Sequence, residues 1–72
     1  MHVNTAQTSN SELLAIARSS GFEIEHCAKH DKVKTPDGKF VTLIPRHQKI
    51  YNPIATKIVK AMNAFGAKIT HT

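Results

Sequence analysis

Two histidines stand where side chains could move protons in this 72-residue chain. His30 precedes the lysine-rich stretch Asp31-Lys32-Val33-Lys34, and His47 closes a Pro45-Arg46-His47 corner after the apolar run Phe40 to Ile44. An imidazole titrates near pH ~6.5, so it can take and return a proton near neutrality. In basic surroundings that chemistry suits a phosphodiester. His30 would take the proton of a ribose 2′-hydroxyl, and the freed oxygen would attack the adjacent phosphorus. The products are a 2′,3′-cyclic phosphate and a free 5′-hydroxyl. The leaving oxygen needs its own proton donor, and His47 is the leading candidate. Both histidines have plainer alternatives: His30 as an exposed turn residue, His47 as a hydrogen-bonding partner for the loop before a helix.

Lys29, Lys32, Lys34, Lys39, Arg46 and Lys57 are candidates for neutralising RNA phosphates, and any of them near the scissile group would stabilise charge in the transition state. A solvated basic surface is the ordinary alternative for such lysines. Lys32 and Lys34 share one face of a strand. His26 falls on the apolar parity of another strand, which favours a partly buried packing role. Its spacing from His30 would suit a metal on a helix, but here it spans strand and turn. No metal or cofactor is expected.

These groups need elements to hold them. Ser9-Asn10-Ser11-Glu12 matches a capping box, and Leu13, Leu14, Ile16 and Ala17 follow at helical spacing. This predicts a first helix from Asn10 to Ser20, closed by Gly21. Phe22, Ile24, His26 and Ala28 alternate with polar residues as in a half-buried strand. Thr35-Pro36-Asp37-Gly38 is a tight-turn sequence between Val33–Thr35 and Lys39–Ile44, so these read as a hairpin. Alternation would put Phe40, Thr42 and Ile44 on one face and Val41 and Leu43 on the other. Asn52-Pro53 opens a second helix with the stripe Ile54, Ile58, Ala61, Met62 and Phe65, ended by Gly66. The expected fold is α+β in the order α-β-β-β-α, a three-stranded antiparallel sheet with both helices on one face. Residues 1–8 read as a flexible lead-in, 9–66 as the domain and 67–72 as a short tail.

Ten Lys and Arg against five Asp and Glu give a net charge of +5, which favours a polyanionic partner. A chain of this length buries about 60 % of its unfolded surface, so a deep substrate cavity is not expected. Cys27 is the only cysteine, which excludes an intrachain disulfide. No apolar run has the length of a membrane span or a signal-peptide core, and a cytoplasmic location is expected.

Taken together, Gly21-Phe22, His30, Pro36-Asp37-Gly38, Ile44-Pro45-Arg46-His47 and the helix that follows resemble the HicA (YcfA-like) toxins of bacterial toxin–antitoxin modules. The similarity covers about residues 11–65, and the Pro-Arg-His corner with its upstream histidine is its most specific part. The family usually has Gly-Ser where this chain has Ala28-Lys29. The resemblance implies a double-stranded-RNA-binding-domain-like fold and a type II toxin that cuts mRNA without a metal. It gives the catalytic role to His30 and implies neutralisation by a HicB-like antitoxin. A monomer is expected when free. The alternative is a catalytically silent module of the same fold that binds RNA, DNA or an acidic protein through its basic surface.

Overall fold

The structure, a computed structural model, describes residues 2–71. Along the chain lie β1 (His2–Val3), α1 (Asn10–Ser19), β2 (Glu23–His26), β3 (His30–Lys34), β4 (Phe40–Pro45), α2 (Ile54–Ala64) and β5 (Thr70–His71). The sheet β2-β3-β4 is antiparallel, and α1 and α2 add their apolar residues to one core with Val33, Val41 and Ile44. The fold is therefore α+β, two helices with a three-stranded antiparallel sheet. Among the described residues, no helix is long and apolar enough to cross a membrane.

Local chemistry explains most of these elements. The Ser9 Oγ accepts from the Glu12 amide at 3.2 Å, one half of the capping box. The Glu12 carboxylate takes its proton donor from the Thr8 hydroxyl instead, at 2.9 Å. Helix α1 ends at Gly21, whose φ of 90° is open to glycine at little cost. At the hairpin tip the Thr35 hydroxyl accepts from the Lys39 amide at 2.9 Å and donates to the Asp37 carboxylate.

Three expectations are corrected. Residues 2–8, expected as a flexible lead-in, and 67–71, expected as a short tail, both contribute to the core and to a strand pair; Met1 and Thr72 lie outside the described residues. β1 and β5 pair in parallel, His2 with Thr70 and Val3 with His71. Val3 and Ile69 are buried, and Thr8 and Ile50 exchange backbone hydrogen bonds of 2.8 and 2.7 Å. The Asn63 side chain clips the returning chain by bonding both the amide and the carbonyl of Ile69. Two-residue strands carry no readable period, so burial of Val3 and Ile69 decides their place.

The second correction concerns β4. Lys34 pairs with Phe40 but Val33 pairs with Thr42, so one extra residue enters the strand as a β-bulge. The bulge breaks the alternation. Val41 and Ile44 are buried, whereas Phe40 is 54 % exposed. The third concerns α2: its buried face is Ala55, Ile58, Val59 and Met62, leaving Ile54 and Phe65 exposed.

Candidate active site

The hairpin β2–β3 turns through Cys27-Ala28-Lys29, closed by a 3.1 Å bond from the Cys27 amide to the His30 carbonyl. This puts the end of β2, the start of β3 and the end of β4 at one end of the sheet. His30 stands opposite Pro45, so the upstream histidine and the Pro-Arg-His corner are brought together by strand register. Among the described residues no non-glycine residue has positive φ, so the turn accepts Ala28 and Lys29 without strain where the resembled family has Gly-Ser. The start of α1 joins the same end. Asn10 Nδ2 donates to the Pro45 carbonyl and to Asp31 Oδ2, both at 3.0 Å, and its backbone amide donates to the His47 carbonyl at 3.1 Å.

Asp31 is the centre of this arrangement. It lies on the helix side of the sheet, opposite Ile44 and His26, and is 2 % exposed. Its Oδ1 accepts from His26 Nδ1 at 2.7 Å and from Arg46 Nε and Nη2 at 3.3 and 3.1 Å. Its Oδ2 accepts from Asn10. Burial alone would push the carboxyl up, but the hydrogen bonds from Asn10, His26 and Arg46, together with the Arg46 charge, outweigh it and hold Asp31 at about 2. Asp31 is therefore an anion at neutral pH. An anionic acceptor requires the proton to be on His26 Nδ1, which leaves Nε2 as the free nitrogen of a side chain that is 59 % exposed.

The other predicted residues divide by position. His30 and Lys32 lie on the open face of β3, away from the helices, and Lys29 is exposed in the adjoining turn. His47 is exposed just past β4. Arg46 is 42 % exposed and commits two N–H groups to Asp31. A guanidinium has five, so three remain for another anion. Lys34 shares the open face with Lys32 as expected, but it is paired with Glu25 at 2.9 Å. Each raises the charge of the other: the Lys34 contact lowers the Glu25 carboxyl, and the Glu25 contact raises the Lys34 amine.

Register also places Glu23 and Glu25 on that open face, opposite Lys34 and Lys32, so the middle of the face is of mixed charge. Lys39 belongs to the hairpin tip, at the far end of the sheet from His30, within 4.0 Å of Asp37. Lys57 is exposed near the start of α2. At the sheet end, Lys29 and Arg46 supply positive charge that could meet a phosphate.

Asp31 and Asn10 were not among the expected site residues, and His26 was expected to pack. His26 does lie on the helix-facing parity, but what it meets there is a carboxylate. The signal available in the sequence was the alternation Asp31-Lys32-Val33, which puts Asp31 on the side of buried Val33 once β3 is extended back to His30. No protein-family model, curated protein or solved structure matches this chain.

Proposed function

We propose that the chain is an RNA-cleaving domain of the HicA type, a dsRBD-like module that cuts mRNA without a metal and is held in check by a HicB-like antitoxin. His30 acts as general base on a ribose 2′-hydroxyl, with Lys29, Lys32 and Arg46 supplying positive charge around the phosphate. The observation that carries this reading is the pairing of His30 with Pro45. It brings the histidine and the Pro-Arg-His corner, which are far apart in sequence, to one end of the sheet. The mixed charge at mid-sheet favours RNA held at the His30 end over RNA tracked along the whole face.

The test is incubation of mRNA in chelator with the parent and with His30→Ala, both checked for folding. Cleavage by the parent alone, with cyclic-phosphate ends, is the expected result. Equal cleavage by both, or none by the parent, overturns the reading.

A further inference from the structure

The two edges of the three-stranded sheet differ in kind. β2 and β4 are its outer strands. An outer strand presents backbone N–H and C=O groups on its free side, and proteins guard such edges with charge. β2 is guarded: it is four residues long and carries Glu23, Glu25 and His26. β4 runs Phe40-Val41-Thr42-Leu43-Ile44-Pro45 with no charged residue. Pairing with β3 sets Phe40 beside Lys34 and Leu43 beside Lys32, so both apolar side chains stand on the open face, 54 % and 38 % exposed.

The surroundings of β4 define what could cover it. Among the described residues, the large exposed apolar side chains are Phe40, Leu43, Tyr51, Ile54 and Phe65, all in the stretch that begins with β4. No Asp or Glu follows Asp37 in the chain, whereas Lys39 and Arg46 bracket β4 directly. Asp37 comes only within 4.0 Å of Lys39, which stays exposed. Arg46 keeps N–H groups beyond the two that Asp31 takes. A second copy of the chain fits this edge badly. Whether two β4 strands met parallel or antiparallel, Lys39 of one would face a cation of the other, Lys39 or Arg46.

We propose that β4 is a docking edge for an extended segment of another protein, added to the sheet as a fourth strand, apolar in its middle and acidic at both ends. The proposal is independent of whether the chain cleaves RNA. The backbone of the segment bonds to the free side of β4, and alternate side chains lie beside Phe40 and Leu43 on the open face. Acidic residues flanking the apolar stretch meet Lys39 at one end and Arg46 at the other. The β-bulge leaves 42–45 as the regular part of the strand, and Pro45 has no amide hydrogen, so the added ladder is short. Side chains and end charges therefore decide which segments bind, and that makes the edge selective.

The test titrates the nitrogen-15-labelled full chain with three capped peptides of about ten residues, followed by NMR. One has a Val/Thr centre with two glutamates at each end. The second has lysines in place of the glutamates, and the third is the acidic peptide with its central amides methylated, which removes their hydrogen-bond donors. The acidic peptide is expected to move the amide signals of Thr42, Leu43 and Ile44, and to bind more weakly as salt is added. The other two should each bind at least about tenfold more weakly.

Equal binding by the acidic and lysine peptides overturns the proposal, as do shifts that fall outside β4 or no binding at about 1 mM peptide. So does a chain that dimerises by itself through the same amides in sedimentation, which would make a second copy the occupant. A uridine oligonucleotide that moves these signals further than the acidic peptide at equal concentration would make β4 a nucleic-acid surface instead.

Discussion

Replacing Asp31 with Asn removes a buried charge that ties together β2, β3, the end of β4 and α1, and the structure gives the size of the loss. The carboxyl is held at about 2 in the folded protein against an ordinary 3.8. Converted at ~1.36 kcal/mol per pKa unit, that difference is worth about 2 kcal/mol at neutral pH. For a domain this small, such a loss lowers the melting temperature by roughly 8–16 °C. The group's pKa is depressed on folding, so its contribution is fully present above the unfolded value. It fades as pH falls through the folded one.

The stability gap between parent and Asp31→Asn should therefore be constant from neutrality down to about pH 5. At about pH 2.5 it should shrink to roughly a third. Chemical denaturation followed by circular dichroism at a series of pH values measures it. Asp37 and Glu25, whose carboxyls are also lowered, are common to both proteins and cancel in the difference. A gap below about 0.5 kcal/mol at neutral pH, or one that does not change with acid, would refute the network as a source of stability.

Two further predictions test the surfaces around it. Glu25→Gln releases Lys34, so RNA should bind more tightly, and the slope of log affinity against log salt should steepen by about one counterion in a filter-binding series. An unchanged slope would mean that Lys34 does not face the RNA. The bulge in β4 predicts an inverted pair of truncations: Val41→Ala should cost about 1–2 kcal/mol, and the larger cut Phe40→Ala should stay within about 0.5 kcal/mol of the parent. Urea melts of the two variants decide it, and the opposite order would restore simple alternation.

The elements that carry their own local chemistry were legible in the sequence. Ser9 and Gly21 mark the limits of α1 because a hydroxyl cap and a left-handed glycine act within a few residues. The same holds for Thr35 to Gly38 at the hairpin tip. What depends on register was not legible. Alternation counts residues and cannot see that Val41 is supernumerary, so it separates Val41 from Ile44 although both are buried. Asp31, flanked by lysines and a histidine, reads as one more surface charge. Only its pairing with His26 and Ile44 shows it to be buried and shared. The meeting of His30 with Pro45 is likewise a matter of strand register.

The pairing of β1 with β5 has a consequence for how the domain assembles. The contact between His2 and Thr70 spans 68 residues of sequence, whereas the β2–β3–β4 ladder is built from neighbours along the chain. Loop closure over such a span is entropically costly and is rewarded only once a core exists to receive Val3 and Ile69. The sheet and its helices are therefore expected to form first and the two short strands to dock last. In the folded protein the order should reverse, and hydrogen exchange followed by NMR is expected to show the amides of β1 and β5 opening locally while the His26–Asp31–Arg46 end of the molecule stays protected.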